Sequence, residues 1–413
     1  MTAFHPSFTA GARHATLPAT GRLFFALLER MDYGGLMLTT PDGITRRFGP
    51  GAAPGAHTGV PAEADLTIRD WKLCRDVVTG GDVAFAEAYM DGRWETNDLD
   101  SLLTVIAFNE RALQLAFYGQ WWRQFAFRLK HLLRSNSRRR ARKNIVAHYD
   151  LGNDFYQLWL DPTMSYSSAL FEGDPQRSLR DAQQAKYLRI LDQLRLPPGA
   201  HVLEIGCGWG GFAEVAARAG HRVTAVSLSD AQTAYARERI AKAGLAERVE
   251  FRIQDYRDVS GRFDGIASIE MFEAVGKRYW PSYFQAVRNA LKPGARAAIQ
   301  TITIADARFE QYRQTSDFIQ QYIFPGGMLA SPSRFVDEAS VAGLGVDAVL
   351  RFGHDYAATL RRWLAAFDGN VDTVRAQGFS PKFIRCWRFY LAYCAAGFAS
   401  ETTDVAHFTL AAA

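Results

Sequence analysis

One stretch limits what this chain can fold into more than any other: Val202-Leu203-Glu204-Ile205-Gly206-Cys207-Gly208-Trp209-Gly210-Gly211-Phe212. A short apolar run ends in an acid, breaks into glycines, and continues into a helical stretch from Phe212 to Ala219. Gly206, Gly208 and Gly211 satisfy the G-x-G-x-x-G spacing between a predicted strand and a predicted helix. Residues without Cβ permit a tight turn there and let the backbone approach a ligand closely. In dinucleotide folds such a turn receives a pyrophosphate. Here Glu204 stands just before the turn and repels phosphate, so the bend suits a cationic or hydroxyl-bearing ligand.

The residues after it extend the pattern. Strands are predicted at 201–205, 222–228, 249–254, 264–271 and 295–304, with helices at 211–219, 230–243 and 279–291. Regular alternation of this kind implies an α/β, doubly wound sheet with ligands outside the carboxyl ends of its strands. Beyond 304 the order loosens: a helix near 307–322, a loop at Phe324-Pro325-Gly326-Gly327, a strand near 346–352, helices to about 397, and a terminal segment at 403–410 that can pair as a strand.

At 413 residues the chain exceeds one ordinary core, so a second domain is expected. Residues 1–20 look like a flexible lead-in, and 21–108 like a small α+β domain. Within it a helix is predicted at Arg22–Met31, and two strands (34–40 and 44–48) meet at the turn Pro41-Asp42-Gly43. After the loop Gly49–Pro61, a strand at Leu66–Ile68 and helices at Trp71–Val78, Val83–Met90 and Leu99–Phe108 follow. Glu95, Asp98 and Asp100 read as solvated or helix-capping acids.

Residues 109–147 differ in kind. From Arg111 to Lys143 there is no acid, while Arg123, Arg128, Lys130, Arg134 and the Arg138–Lys143 cluster alternate with Phe117, Tyr118, Trp121, Trp122, Phe125 and Phe127. A basic helix carrying bulky aromatic residues fits an interfacial, membrane-surface segment. Each basic residue near an anionic leaflet contributes about 1 kcal/mol. A linker helix with a solvated basic face, or RNA binding through Arg138–Lys143, are the alternatives. No RNA-binding fold signature accompanies the cluster, so no nucleic-acid partner is expected.

No apolar run reaches the ~18 residues that span a bilayer, and the N-terminus lacks a secretory signal pattern. Cys74, Cys207, Cys386 and Cys394 are scattered, which weighs against a zinc site or disulfide framework. A cytoplasmic protein, held peripherally at the inner face of the membrane, is the expectation.

Several further motifs occur in a telling order. His148-Tyr149-Asp150-Leu151-Gly152-Asn153-Asp154-Phe155-Tyr156 and Met164-Ser165-Tyr166-Ser167-Ser168 precede the glycine bend. Asp255-Tyr256-Arg257-Asp258, Met271-Phe272-Glu273-Ala274-Val275-Gly276 and Tyr322-Ile323-Phe324-Pro325-Gly326-Gly327 follow it. The bend resembles motif I of S-adenosylmethionine-dependent methyltransferases. The whole set, from about 145 to 398, resembles the cyclopropane-fatty-acyl-phospholipid synthase family, which includes the mycolic acid cyclopropane synthases. The N-terminal domain resembles the smaller domain of the longer bacterial synthases.

The resemblance implies a Rossmann-like class I methyltransferase sheet over 148–413 and methylation of a cis double bond in an unsaturated phospholipid acyl chain. It places S-adenosylmethionine at Tyr166 and Ser167, over Gly206, Gly208 and Gly210, with Leu228 and Gln232 at the ribose and Asp255 and Tyr256 at the adenine. Ser227 stands where many methyltransferases end their second strand in an acid, which makes Gln232 the expected ribose partner and Asp230 an N-cap.

The chemistry agrees with the chain. An alkene is a weak, neutral nucleophile, so it needs no base to start but a dry site that aligns it with the methyl donor. Methyl transfer leaves a carbocation, which aromatic faces stabilise. The candidates are Phe272, Tyr322, Phe324, Tyr356 and Trp363, with plain core packing as the competing reading for Phe324 and Trp363. Lifting an acyl chain out of a bilayer costs about 0.8 kcal/mol per methylene, so an apolar passage must receive it.

Glu273, among apolar neighbours at a predicted strand end, must be paired, protonated or solvated by a bound polar species. The resemblance gives the matching glutamate a share in holding a bicarbonate ion that takes a proton and closes the ring. Tyr356 matches the tyrosine of that site. Ser168, however, replaces a cysteine and Gln300 replaces a histidine. A Gln cannot share a proton as an imidazole can. Both departures weigh against bicarbonate and favour a methyl-branched unsaturated product over a cyclopropane. His354, close in sequence, could compensate, although a surface position is its default. A methyltransferase for a small amine or RNA, and a non-catalytic lipid-binding protein, are the readings from other classes. The oligomeric state is left open, a homodimer included.

Overall fold

A small sheet and a large one share the chain. In the computed structural model, residues 18–51, 61–114 and 151–412 are described. Residues 1–17 of the lead-in, part of the Gly49–Pro61 loop, and the basic-aromatic stretch from 115 through His148-Tyr149-Asp150 lie outside the described residues, while the first helix starts inside the lead-in and covers Ala19–Leu28.

The small sheet is built from β1 (Gly34–Thr39), β2 (Thr45–Gly51), β3 (Glu63–Ile68) and β4 (Trp94–Glu95), in the order β2-β1-β3-β4. β1 and β2 form the expected antiparallel hairpin, while β1 and β3 run parallel. The predicted pair of helices after Ile68 is one element, Lys72–Met90, broken where Gly81 takes φ 63° and ψ −145°. Only glycine adopts that backbone readily. Asp98 caps the helix Leu99–Phe108 through the Ser101 N–H. At that helix's end, the fully buried Asn109 accepts from the Asp32 and Tyr33 N–H groups and donates to the Tyr33 and Val105 carbonyls. Every polar atom of that side chain is therefore satisfied, as burial demands.

The large sheet contains β5 (His201–Ile205), β6 (Arg222–Ser227), β7 (Val249–Ile253), β8 (Phe263–Ile269), β9 (Leu291–Ile304), β10 (Leu344–Arg351) and β11 (Thr403–Ala412). Their order is β10-β11-β9-β8-β5-β6-β7, parallel except that β11 runs antiparallel to both neighbours. Strands covered on both faces read as near-continuous apolar runs. Val202, Leu203, Val223, Ala225, Ile266 and Ala267 are accordingly buried. Phe212, Ala216 and Ile240 fill one face, and Trp280, Phe284, Val287 and Phe335 the other. The sequence order reverses on either side of β5, so the crevice opens beyond the ends of β5 and β8.

Two local expectations are corrected. Ser229, not Asp230, caps the helix Asp230–Lys242, because its side chain reaches the Gln232 N–H while Asp230 occupies the first turn. The helix near 307–322 stops at Tyr312, and a separate π-helical turn covers Ile319–Ile323.

The two sheets are joined by one core. Phe389, on the helix Pro381–Ala399, packs against Phe85, Tyr89 and Trp94 of the small domain and against Phe318. Arg385 donates to the Tyr89 and Trp94 carbonyls, and Arg361 pairs with Asp100 at 2.7 Å. The parts should therefore unfold together in urea. Phe389→Ala, which empties a site with 1% exposure, is expected to cost about 3–5 kcal/mol. A midpoint unchanged from the parent protein would show that this joint carries no stability.

Candidate active site

The bend after β5 is built as its glycines require. Gly206 has φ +85°, and a Cβ there would lie 2.9 Å from Met271 Cγ. Its N–H and that of Cys207 both donate to the Val226 carbonyl, which ties the bend to β6. Gly208, at φ +49°, has nothing within 4 Å of where a Cβ would stand, leaving open space against the backbone. Glu204 is 3% exposed, and its Oε2 has no hydrogen-bond partner. Burial pushes its carboxyl well above the ordinary range. An orphaned acidic oxygen beside an open glycine bend fits a ligand that brings positive charge or donors.

Most residues nominated for the cofactor share one cavity wall with that bend: Tyr166, Ser167, Gly206, Gly208, Leu228, Gln232, Asp255 and Tyr256. The Tyr166 hydroxyl meets that of Tyr390 at 2.7 Å. Ser167 Oγ accepts from Lys186 Nζ at 2.6 Å. Asp255 is gripped by Arg257, whose backbone N–H, Nε and Nη2 all donate to its carboxylate. Gly210 sits behind the wall, where a Cβ would lie 3.0 Å from Ala236, and it starts the helix Gly211–Arg218.

The nominated catalytic side chains are brought together, but around a residue the sequence reading passed over. Glu270 follows β8 and takes three hydrogen bonds. Oε1 accepts from the Ser168 N–H at 2.8 Å and from Gln300 Nε2 at 2.7 Å, and Oε2 accepts from the Tyr356 hydroxyl at 2.6 Å. Ser168 thus contributes its backbone, since its hydroxyl donates to the Ala169 carbonyl. Sheet register explains Gln300: it lies opposite Ile269 on β8 and His407 on β11. His407 Nε2 stands 2.8 Å from Gln300 Oε1. With the ring donating there, the amide NH2 is turned toward Glu270.

Glu273 forms the adjoining part of the site. Its Oε1 accepts from Thr301 Oγ1 at 2.9 Å and from the Ile302 N–H, while Oε2 is buried without a partner. Burial, then the charge of Glu270, pushes its carboxyl up to about 8. Burial raises Glu270 as well, against the opposing effects of the Tyr356 hydroxyl, the Ser168 N–H, the Lys186 charge and the Gln300 amide. His354 is at the surface beside Glu401 and takes no part.

The aromatic candidates divide. Tyr356 and Phe324 line the cavity. Phe272 does not: it is fully buried among Trp280, Tyr283, Phe284 and Phe335, because the 3-10 turn Phe272–Ala274 swings it into the core. Tyr322 is 41% exposed and bonds Glu87 on the surface. Trp363 is core, packed against Trp159 and Tyr166.

The cavity measures about 760 Å3 and runs from the bend past Glu270, Glu273 and Phe324 to a wall supplied by the small domain, including Phe24, Leu27, Leu36, Leu66, Leu103 and Ala107.

Residues 136–408 match the family model described as mycolic acid cyclopropane synthetase. The chain belongs to the mycolic acid cyclopropane synthetase family. As a member of this family it is an S-adenosylmethionine-dependent methyltransferase. It is 40% identical over 371 residues to the tuberculostearic acid methyltransferase UfaA1 of Mycobacterium tuberculosis, covering 88% of this chain and 86% of that protein. It is 34% identical over 342 residues to the cyclopropane-fatty-acyl-phospholipid synthase of Escherichia coli strain K12, covering 82% and 85%. The crystal structure of mycolic acid cyclopropane synthase CmaA1 complexed with SAH and CTAB superposes with a TM-score of 0.61 at 31% identity, covering 65% of this chain and 98% of that one. Coclaurine N-methyltransferase, at 20% identity and a TM-score of 0.62, shares the fold.

In this family member His407 is held neutral, because burial lowers its pKa from the ordinary 6.5 to about 3. The unfolded chain takes up that proton below 6.5 and the folded one does not. Stability tied to this residue is present above 6.5 and is lost as pH falls toward 3. Urea midpoints of the parent and His407→Gln, compared at neutral pH and at about pH 4.5, should show a smaller acid loss in the variant; an equal loss would contradict the assignment.

Proposed function

We propose that this methyltransferase places a methyl group on a carbon of a cis double bond in an unsaturated phospholipid acyl chain and releases a methyl-branched unsaturated chain. The observation that carries the reading is the mostly apolar cavity that runs from the Gly206–Gly208 bend to the small domain. A site for a small amine or a nucleotide base needs only a compact pocket at the bend. This one extends to Leu27, Leu36, Leu66 and Leu103 instead, and a buried acyl chain gains about 0.8 kcal/mol per methylene in such surroundings.

Bound S-adenosylmethionine supplies the methyl group. The protein's own residues supply the rest. The apolar wall excludes water and holds the chain against the bend. Tyr356 and Phe324 offer aromatic faces to the positive charge that develops on the acyl carbon. Glu204, Gly206 and Gly208 hold the donor, with Leu228, Gln232, Asp255 and Tyr256 along the same wall. The basic-aromatic stretch supports contact with an anionic leaflet, and the cavity wall reaches Leu113, near its start.

Ser168 and Gln300 support the branched product, as does the greater identity to UfaA1 than to the Escherichia coli synthase. Ring closure is the second reading, supported by the similarity to that synthase.

Incubating the enzyme with labelled S-adenosylmethionine and unsaturated phospholipid vesicles tests both. A branched alkene and a cyclopropane have the same mass gain, but ozone cleaves only the alkene. We expect a labelled, ozone-sensitive chain; a labelled, ozone-resistant chain would establish the ring. Ala107→Trp, which narrows the passage far from the bend, should cut turnover on vesicles at least about tenfold, comparable to 1.4 kcal/mol, while binding of S-adenosylhomocysteine is kept. Full turnover in that variant would place the acyl chain elsewhere.

A further inference from the structure

Ser168, Gln300 and Tyr356 converge on Glu270 rather than on Glu273. We infer that Glu270 is the catalytic base of this enzyme: its carboxylate stands built into the site and takes the proton that the methylated acyl chain must lose. The inference rests on the acyl-methylation reading and assigns the residue that completes it.

Four observations support the role. The carboxylate faces the cavity that also contains the bend, Glu273 and Tyr356. Both of its oxygens are held, Oε1 by two N–H donors and Oε2 by a hydroxyl, so its orientation is set before any substrate arrives. Gln300 suits such a partner: its amide, turned by His407, donates without needing a proton of its own. The backbone of Glu270 is also held at φ +49°, a left-handed conformation uncommon for a residue with a Cβ, while its N–H donates to the Gln300 carbonyl at 2.8 Å. Strain of that kind, held in place by surrounding bonds, is characteristic of functional positions. Lys186, the cation nearest in its electrostatics, donates to Ser167 Oγ and Gln183 Oε1 instead, which leaves the carboxylate to its three donors.

The step balances as follows. Methyl transfer turns the alkene π pair into a new carbon–carbon bond and leaves one positive charge on the chain. Glu270 accepts a proton from a carbon beside the cationic centre, and the C–H electron pair becomes the new double bond. The chain is then neutral, and the proton rests on Glu270 until solvent takes it as the product leaves. A C–H bond next to a carbocation is strongly acidic, so a carboxylate is base enough and its placement decides the outcome.

The test compares the wild type, Glu270→Gln, Glu270→Asp and Glu270→Gly on unsaturated phospholipid vesicles, with and without added bicarbonate. S-adenosylhomocysteine binding reports whether each variant is folded. Wild-type turnover should be indifferent to bicarbonate. Glu270→Gln should lose about a hundredfold or more in turnover while still binding S-adenosylhomocysteine. Glu270→Gly should be equally slow and recover in part when bicarbonate fills the vacated space. If Glu270→Gln does not fold, Glu270→Asp and the bicarbonate response of the wild type decide. Wild-type turnover that requires bicarbonate, or a folded Glu270→Gln that keeps the parental rate and product, would overturn the assignment while acyl methylation stands. A wild type that methylates no vesicle lipid would overturn both.

Discussion

Grease and charge must share one hole in this protein. An acyl chain enters only where the lining is apolar, yet alkylating its double bond creates a full positive charge far from water. The proposed reaction makes both demands, and the cavity keeps them apart along its length. Most of the wall from the small domain is hydrocarbon, with Asp82 and Glu110 its acids, whereas the end near the glycine bend carries Glu204, Glu270 and Glu273. Carboxylates in such a place are costly unless donors hold them. Glu270 has three and Glu273 has two, drawn from the loop at Ser168, from β9 and from the helix Gly353–Gly369 that carries Tyr356.

The large sheet alone could not build this. Its switch point presents the bend and the β8 terminus side by side, as doubly wound sheets do, but the crevice so formed is open. Closure comes from the helix Pro381–Ala399, which packs on the catalytic end through Tyr390 and on the helices of the small domain with its other side. The small domain thereby becomes a wall of the site, joined to it by Phe389, Arg385 and Arg361. Phe389 serves both purposes, since it stands in that joint and also lines the cavity.

Much of this was legible in the sequence. Strong alternation of apolar runs with amphipathic stretches located the strands of the large sheet to within a few residues, and the glycine bend announced its own position. Glu273 stood out because a carboxylate among apolar residues asks for an explanation. Glu270 offered a quieter version of the same signal, an acid at the carboxyl end of a predicted strand, where such sheets bind ligands. Its neighbour drew the attention, and its importance depends on Ser168, Gln300 and Tyr356, which only the fold brings together. Phe272 was misjudged for a local reason: the 3-10 turn after β8 reverses the side on which an extended strand would have shown it. Tyr322 sits on a π-helical turn that periodicity does not foresee. The part played by Phe24, Leu36 and Leu103 had no sequence signature, since a cavity wall and a core have the same composition.

The passage itself is the claim on which everything else stands, and photolabelling tests it most directly. A phospholipid with an unsaturated acyl chain and a diazirine near that chain's end would be photolysed with the enzyme in the presence of S-adenosylhomocysteine, and the labelled peptides mapped. Label should fall on the peptides containing Leu27 to Leu36 and Leu103 to Leu113, and unlabelled unsaturated phospholipid should compete it away. Label confined to surface peptides, or label that no lipid displaces, would contradict the account.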